Sequence, residues 1–371
     1  MDVLGKRPNM GVVVGIIGCG HWGRNHAKTF AQLRKENLID DFIVCDISKH
    51  RAQEVAAEHD VKWCTDFSDL IEVYSVNAVT IATPTSTHTE LAITFLKSGI
   101  DTLVEKPMTL CVDDAERMNS VASQTTNIFA VGHPLRYHAP LRVVKDMIDS
   151  GELGPISSIE SERLSVREPR RDTGVIAALA IHDIDICSML LDEQNPSTIQ
   201  SLSLPSTVEG VEDHAVIHLK YSPGLFDSGE GIIATVTASW RSRIRGKVRR
   251  TRIHGRDASI DIDTHRHDGF YIHRHPNNVV SNEWGGISKS PREWIAIEEG
   301  EPCLTSELRA FALACSTRDC RYILATPEIG LAATRLVDHA RNSAYHHTPV
   351  FVYDSTSQHS IAESMSPPQW Q

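Results

Sequence analysis

The chain has 371 residues, of which 41% are hydrophobic and 23% are charged, so it is long enough for two domains and has the composition of a globular protein. Its formal net charge of −11 argues against a general affinity for nucleic acid. No apolar run approaches the ~20 residues of a membrane span. The N-terminal segment lacks the apolar core of a secretory signal, and the eight cysteines include no C-x-x-C. We therefore expect a cytoplasmic protein with reduced thiols.

The segment GIIGCGHWG contains the pattern G-x-G-x-x-G, formed by Gly18, Gly20 and Gly23. It follows a β-branched run that predicts a strand and precedes WGRNHAKTFAQL, which predicts a helix. In this context the first glycine allows a tight turn, the second lets the backbone approach a pyrophosphate, and the third lets the helix pack on the strand. The pyrophosphate would lie at the helix N-terminus, beside His21 and Trp22. A purely structural glycine-rich turn is the alternative.

A second cofactor signal is Asp46, which closes the run FIVCD 28 residues after Gly18. An acidic side chain at the end of the second parallel strand accepts hydrogen bonds from the adenosine ribose and repels a 2′-phosphate, so it favours NAD over NADP. Ser48 and Arg51 lie nearby and are able to hold a phosphate, which keeps NADP open. The alternative role of Asp46 is to cap the following helix.

Strands and helices alternate as far as about residue 133, which predicts βαβ units and a parallel, doubly wound sheet. We assign residues 1–133 to this dinucleotide-binding Rossmann domain. Its later predicted elements are the strands Asn77–Thr83, Asp101–Pro107 and NIFAVGH, and the helices THTELAITFLKSG and Val112–Ser123.

Beyond Pro134 the pattern changes to runs of successive strands, which predict an α+β domain with a mostly antiparallel open sheet. We assign residues 134–355 to this substrate-binding and oligomerisation domain, and we expect the polar tail 356–371 to be poorly ordered. The predicted helices are Ala139–Asp149, Ala177–Leu191, Thr305–Cys315 and Pro327–Ser343, and the predicted strands include Ile156–Val166, Val211–Tyr221, Gly231–Trp240 and Lys247–His254.

Behind the glycine pattern, the clusters ATPTSTHTE, VEKPMTL, GHPLRYHAP and AIHDIDI occur in this order. Together they resemble the Gfo/Idh/MocA family of nicotinamide-dependent sugar and polyol oxidoreductases, over about residues 11 to 345. The stretches IDSGELGPI, RRDTGVIAALAIHDIDI and WRSRIRGKVRRTRIHG are similar to the branch that acts on UDP-N-acetylhexosamines. This resemblance implies NAD-dependent oxidation of a nucleotide sugar, at C3 of UDP-N-acetylglucosamine. A free sugar, inositol or UDP-hexosaminuronate substrate and a non-catalytic NAD(H)-binding regulator are the alternatives.

Oxidation of a secondary alcohol requires a base for the hydroxyl proton, while the hydride leaves for the nicotinamide. Lys106 follows a strand end, where α/β sheets place ligands, and partial burial near NAD⁺ should depress its pKa. The resemblance implies that His182 shares catalysis with Lys106 and that the peptide bond to Pro107 is cis. We expect Glu105 to orient the nicotinamide end of the cofactor and Asp185 to have a structural role. An ordinary surface lysine and a buried structural histidine are the alternatives.

One departure from the family pattern lies one helical turn before His182, where many members have an aspartate and this chain has Ala178. Three explanations remain open. Either Asp172 or Asp183 substitutes for the missing carboxylate, or Lys106 and His182 suffice, or the activity is weak or unusual.

The resemblance also implies the remaining contacts. The cofactor contacts in the loop after the third Rossmann-type strand are Thr83, Pro84 and His88. The predicted substrate contacts are Arg136, Tyr137, Arg163, Arg170 and Asp183, where the guanidinium groups suit a diphosphate. The alternative for each of these arginines alone is an ion pair, which is more common than a ligand contact.

In RSRIRGKVRRTR, basic residues alternate, so one extended strand would carry five of them on one face, namely Arg241, Arg243, Arg245, Lys247 and Arg249. We favour a subunit interface or a solvated face over binding of phosphate or nucleic acid. Two H-x-H pairs, His265 with His267 and His273 with His275, have no matching cysteine or acidic cluster, so we predict no metal site. The expected partners are a small nucleotide sugar and further copies of the chain, in a homodimer or homotetramer.

Overall fold

The computed structural model describes residues 11–243, 246–275, 292–298 and 300–352. The first of its two sheets has six strands, all parallel. They are β1 (Val13–Ile17), β2 (Asp41–Cys45), β3 (Lys62–Cys64), β4 (Ala78–Ile81), β5 (Asp101–Glu105) and β6 (Phe129–Gly132). The order β3-β2-β1-β4-β5-β6 places the end of β1 next to the ends of β2 and β4, as in a dinucleotide-binding fold.

Helices cover both faces of this sheet, which explains why its strands are apolar almost throughout. The helices are α1 (His21–Lys35), α2 (Lys49–His59), α3 (Ser68–Glu72), α4 (His88–Lys97) and α5 (Val112–Ser123). Phe30 and Leu33 of α1 are fully buried against one face, and Phe95 and Leu96 of α4 are buried against the other.

The second sheet has nine strands and is mixed, because β7 and β10 are parallel while the other neighbours are antiparallel. The strands are β7 (Ile156–Leu164), β8 (Thr198–Pro205), β9 (Glu212–Tyr221), β10 (Ile232–Ser239), β11 (Val248–Gly255), β12 (Ala258–Asp263), β13 (Gly269–Arg274), β14 (Arg292–Ala296) and β15 (Val350–Phe351). Their order is β14-β13-β12-β11-β7-β10-β9-β8-β15. The predicted class, a parallel sheet domain followed by a mostly antiparallel one, is confirmed.

Three helices pack on the inner face of the second sheet, namely α6 (Ala139–Asp149), α7 (Ile181–Leu190) and α9 (Pro327–His346). The predicted helix 177–191 is instead a π-helical turn, Ile176–Ala180, that runs into α7. The remaining helix, α8 (Cys303–Thr317), returns to the first sheet, where Leu308 and Phe311 join the core that contains Phe30. The domain limits at 133 and 355 remain a prediction, since α8 packs with the first unit.

The basic run does not form one strand. Arg241 makes an isolated bridge to Val166, Gly246 has a φ of +86°, and β11 begins only at Val248. The chain turns at Gly246, so the described basic side chains on its two sides do not share one strand face. Arg245 lies outside the described residues, as does the tail 356–371. Within the described ranges, no helix is both long enough and apolar enough to cross a membrane.

Candidate active site

The glycine pattern forms the turn between β1 and α1. Gly18 has a φ of +95°, and a Cβ there would lie 2.7 Å from a carbonyl oxygen of the loop after β4. A Cβ on Gly23 would lie 1.6 Å from the carbonyl oxygen of Gly18, so α1 packs only because this residue is glycine. At Gly20, by contrast, a Cβ would meet nothing within 4 Å. This open approach lies at the start of α1, next to His21 and Trp22, which are both exposed.

The start of α1 suits the pyrophosphate of NAD. Its N-cap residue, Gly20, makes no side-chain hydrogen bond to the first turn, so backbone N–H groups there remain for an anion. When bound, NAD would be held by these N–H groups and by Asp46, and it would supply the hydride acceptor.

Asp46 lies one residue beyond β2 and is mostly buried. Its Oδ2 accepts a hydrogen bond from the N–H of Cys19 at 2.8 Å, and its Oδ1 accepts from the N–H of Ser48 at 2.8 Å and from Arg51 at 2.9 Å. Burial acts to raise the pKa of Asp46, but these donors lower it below its ordinary value. Ser48, not Asp46, caps α2. Because Arg51 is bound to Asp46, it is not free for a 2′-phosphate, which favours NAD.

The loop after β4 holds the other predicted cofactor contacts. The hydroxyl of Thr83 lies 2.7 Å from that of Thr87, and Pro84 is exposed. His88 is 1% exposed, with Nε2 3.0 Å from the carbonyl oxygen of Thr83 and Nδ1 3.1 Å from that of Pro107. The imidazole therefore has no free nitrogen for the cofactor. It joins two loops, which favours a structural role for His88 over the predicted cofactor contact.

Glu105 ends β5 and lies beneath the site rather than in it. Its Oε1 is 3.0 Å from Nε2 of His26, and its Oε2 accepts the N–H of Lys106 at 3.1 Å. Burial acts to raise the pKa of Glu105, but the hydrogen bond with His26 and the charges of His26 and Lys106 lower it overall. The carboxylate thus fixes the backbone from which Lys106 projects. The Lys106–Pro107 peptide bond is cis, as the resemblance implied.

Lys106 donates a hydrogen bond from Nζ to the carbonyl oxygen of Ala178 at 3.0 Å. Burial, helped by the charges of Arg163 and Arg170, lowers the pKa of Lys106 to about 8, although Glu105 opposes this. About a tenth of the lysine is therefore a neutral amine at pH 7, and about half at pH 8, which is the form that accepts a proton.

His182 lies in the first turn of α7 and is half-buried. Burial, followed by the charges of Lys106 and Arg163, lowers its pKa well below the ordinary value, so the ring is neutral at pH 7. Its ring makes no hydrogen bond within the part of the chain that the structure describes. The structure thus places the two predicted catalytic residues close enough for their charges to interact, with the imidazole available to a substrate.

In the described part of the chain, neither Asp172 nor Asp183 takes the place of the aspartate that many family members have at position 178. Asp172 is bound to Arg170 at 2.8 Å, and Asp183 is bound to Arg163 at 2.6 Å. Instead, the backbone carbonyl oxygen of Ala178 accepts a hydrogen bond from Nζ of Lys106. The substitution by Asp172 or Asp183 that the sequence left open is therefore not observed.

Several residues that the sequence predicts to contact the substrate form buried ion pairs in the structure. Arg163 and Asp183 form a bidentate pair, at 2.6 and 3.1 Å, and both are less than a tenth exposed. Arg136 is held by Asp185 at 2.8 Å and by Glu193 at 2.6 Å. Because these guanidinium groups and carboxylates are already paired, structural roles are favoured over the predicted substrate contacts for Arg136, Arg163 and Asp183. Asp185 binds Arg136, which is consistent with the structural role predicted for it.

Tyr137 is also occupied, since its hydroxyl donates to the carbonyl oxygen of Tyr322 at 3.3 Å and accepts from the N–H of Leu324 at 2.9 Å. Arg170 differs from the other predicted contacts, because it is only half-buried and its charge acts on Lys106. It remains a candidate substrate contact.

Arg249 lies near enough to His182 for its charge to act there, and not on the basic strand face predicted from the sequence. It lies on the inner face of β11, and its charge contributes to the lowered pKa of His182. The pattern that places Arg249 on the inner face is visible in VRRTRIHG, where Thr251 and Ile253 alternate with charged residues. In the structure, both Thr251 and Ile253 are fully buried. Arg249 falls in register with these buried positions, whereas Arg250 and Arg252 do not.

One residue of the H-x-H pairs, His267, lies near His138 and Cys303, with ligating atoms within 4.8 Å of one another. His138 is already bonded on both sides, since its Nδ1 accepts from the N–H of Leu141 at 3.3 Å and its Nε2 lies 2.9 Å from the carbonyl oxygen of Arg266. We assign no ion to this group, and the absence of a metal stays a prediction.

The comparisons with known proteins agree with this geometry. A model described as an oxidoreductase family with an NAD-binding Rossmann fold matches residues 12–133, and a GFO/IDH/MocA C-terminal domain matches residues 141–261. The chain is 32% identical over 251 residues to UDP-N-acetylglucosamine 3-dehydrogenase of Acidithiobacillus ferrooxidans, covering 67% of this chain and 73% of that protein. It is 31% identical over 268 residues to scyllo-inositol 2-dehydrogenase (NAD(+)) of Bacillus subtilis, covering 68% and 74%.

A solved structure of a levoglucosan dehydrogenase in complex with NADH superposes with a TM-score of 0.79 at 17% identity, covering 93% of this chain and all of that one. At this identity the likeness is one of fold. Together these matches confirm the predicted oxidoreductase family, the Rossmann domain and NAD as cofactor.

Proposed function

Because the chain belongs to the Gfo/Idh/MocA family of NAD-binding oxidoreductases, we propose that it oxidises a secondary hydroxyl of a nucleotide sugar, namely that on C3 of UDP-N-acetylglucosamine. The observation that carries the reaction class is the pair formed by Lys106, whose pKa is about 8, and the neutral His182. The substrate rests on the relative that is 32% identical and bears this name. The cationic surroundings of the pair also suit an anionic substrate.

In this mechanism the hydroxyl proton passes to Lys106 and the hydride to the nicotinamide of bound NAD⁺. Lys106 is the better base because its pKa of about 8 lies near neutral pH, whereas the pKa of His182 lies well below its ordinary value. His182 hydrogen-bonds the reacting oxygen and orients it towards the amine. Glu105 holds the lysine backbone in place from below.

We also propose that the second domain carries the subunit contacts of a homodimer or homotetramer. The outer face of its sheet exposes Leu202, Leu204 and Ile233. Exposed apolar side chains that share one sheet face are typical of a surface that another molecule covers.

The test is the near-ultraviolet absorbance of NADH when the protein meets NAD⁺ and UDP-N-acetylglucosamine, with hydrazine present to trap the ketone. We expect a signal that needs both ligands and that falls about 10²- to 10⁴-fold in a Lys106→Met variant. A signal with scyllo-inositol or a free hexose but not with the nucleotide sugar would move the substrate to those alternatives. NAD binding without turnover of any of them would favour a regulator.

A further inference from the structure

The inner faces of β7 and β11 meet in a ladder of paired residues that becomes more polar along its length. In register, the successive pairs are Ile159 with Ile253, Ser161 with Thr251, and Arg163 with Arg249. The first pair is fully buried and apolar, and the hydroxyls of the second lie 2.7 Å apart. The third pair sets two arginines directly opposite each other, a like-charge arrangement that destabilises a sheet.

Only one of these two arginines has a counter-charge. Arg163 is neutralised by Asp183. Arg249 donates only from Nη1, to the carbonyl oxygens of Leu164 at 3.1 Å and Val248 at 2.8 Å. Among the described residues, no carboxylate oxygen lies within 4.0 Å of a guanidinium nitrogen of Arg249, the distance that defines an ion pair. Nε and Nη2 of Arg249 have no hydrogen-bond partner in that part of the chain.

The surroundings of Arg249 disfavour its charge on balance. Burial, followed by the charge of Arg163, lowers the pKa of Arg249 to about 10, although Asp183 and Asp263 oppose this. Arg249 is only half-buried, and its Nε and Nη2 are not among the described buried atoms that lack a partner, so both donors are open to a ligand from solvent. A guanidinium group with two open donors suits an anion.

The surroundings of Arg249 point the same way. Arg249 and Arg163 both act on His182, and Arg163, Arg167 and Arg170 act on Lys106. Of these arginines, Arg163 and Arg170 are paired with aspartates. Arg167 lies over the ring of Trp240, with no carboxylate partner in the described chain. The site is therefore cationic in a chain whose formal net charge is −11, which concentrates anionic ligands at this point.

We propose that Arg249 binds the anionic group of the substrate, a diphosphate or a carboxylate carried by the sugar, through its free Nε and Nη2 atoms. This inference rests on the proposed function, because it takes the sugar to react at Lys106 and His182. It makes Arg249 the residue that distinguishes charged sugars from neutral ones. Arg136 and Arg163 support the fold instead.

The test is calorimetric titration of uridine diphosphate, and separately of glucuronate, into the complex of the protein with NADH. Arg249→Gln removes the charge, and Arg249→Lys keeps the charge without the planar fork. Arg256→Gln is the matched control, because Arg256 follows β11 directly and is bound to its neighbour Asp257. The affinity for NADH and the melting temperature are measured for every variant.

We expect Arg249→Gln to weaken binding of at least one of the two anions by about 10- to 100-fold. Arg249→Lys should weaken it less, and the control should leave it unchanged. The melting temperature of Arg249→Gln should equal or exceed that of the native protein, since a repulsion is removed, so a loss of binding would not reflect misfolding. If uridine diphosphate is the affected ligand, the anion is the diphosphate; if it is glucuronate, the anion is a carboxylate.

Unchanged binding in Arg249→Gln, or a native protein that binds neither anion, overturns the inference. Because the titration needs no turnover, its outcome separates from that of the proposed function. Anion binding that depends on Arg249 without oxidation of UDP-N-acetylglucosamine would leave the anion site standing and remove the substrate. Oxidation of UDP-N-acetylglucosamine with the same kcat/KM in Arg249→Gln as in the native protein would support the substrate and remove the anion site.

Discussion

At residue 178 a backbone carbonyl, rather than a carboxylate, receives the amine of Lys106. A carbonyl carries no full charge, so it does little to hold the lysine ionised, and burial lowers the lysine pKa to about 8. If the neutral amine takes the substrate proton, activity needs the deprotonated form. The value of kcat/KM should therefore rise as the pH rises through about 8 and become constant above it.

Replacing Ala178 by aspartate tests this assignment. A carboxylate beside Lys106 favours the ammonium form, so the rising limb of the kcat/KM profile should move to higher pH by about 1 unit or more. Ala178→Asn has nearly the same shape without the charge and should leave the limb where it is. A profile that instead falls above pH 8 would assign the active form to the ammonium ion.

The choice between NAD and NADP depends on Asp46 and Arg51, which are bound to each other. Asp46→Asn should weaken that ion pair and free Arg51 for a 2′-phosphate. We expect the ratio of kcat/KM for NADP to that for NAD to rise about tenfold or more. Adding Arg51→Gln to this variant should cancel the gain. If the ratio does not change in Asp46→Asn, the ribose does not lie against this carboxylate.

At the scale of one element, the turn from β1 to α1 separates two roles of glycine. A methyl group on Gly20 meets nothing, so Gly20→Ala should melt as the native protein does but bind NAD about tenfold more weakly or worse, because it fills the approach of the pyrophosphate. A methyl group on Gly23 meets the carbonyl oxygen of Gly18, so Gly23→Ala should lower the free energy of unfolding by about 3 kcal/mol. Melting curves with and without NAD measure both effects.

The elements also show how far sequence patterns reach. The helices at 112–123 and 139–149 have the predicted bounds, because their apolar spacing and flanking residues are local signals. The π-helical turn before α7 and the short edge strand β14 carry no such local signal. The prediction of one strand over the basic run is wrong for another reason, because the alternation of basic residues continues through Gly246, where the chain turns.

The site residues likewise fall into those with local sequence signals and those whose partners are distant in sequence. The predictions for Lys106, Asp46 and the glycine turn follow from nearby strand ends, which are local signals. The roles of Arg136 and Arg163 depend on Asp185 and Asp183, which are 49 and 20 residues away in sequence. Residue type leaves a phosphate contact and an ion pair open for each arginine, and only the fold identifies the carboxylate that pairs with it.

At the scale of the whole molecule, the two sheets differ in what covers them. The parallel sheet has helices on both faces, whereas the described helices of the second unit pack only on its inner face. On the outer face, Leu202 lies in register with Val216, which in turn lies opposite Thr237. The resulting surface runs across β8, β9 and β10.

The oligomer should therefore depend on this outer face. We expect the double substitution Leu202→Glu and Ile233→Glu to give a folded monomer in sedimentation-velocity runs, because charges buried in an apolar contact are costly, while both positions are more than half exposed in the single chain. Leu225→Glu is the control, since Leu225 is 85% exposed but lies outside the sheet. A native protein that sediments as a monomer, or a double variant that remains assembled, would show that the subunits do not meet through this face.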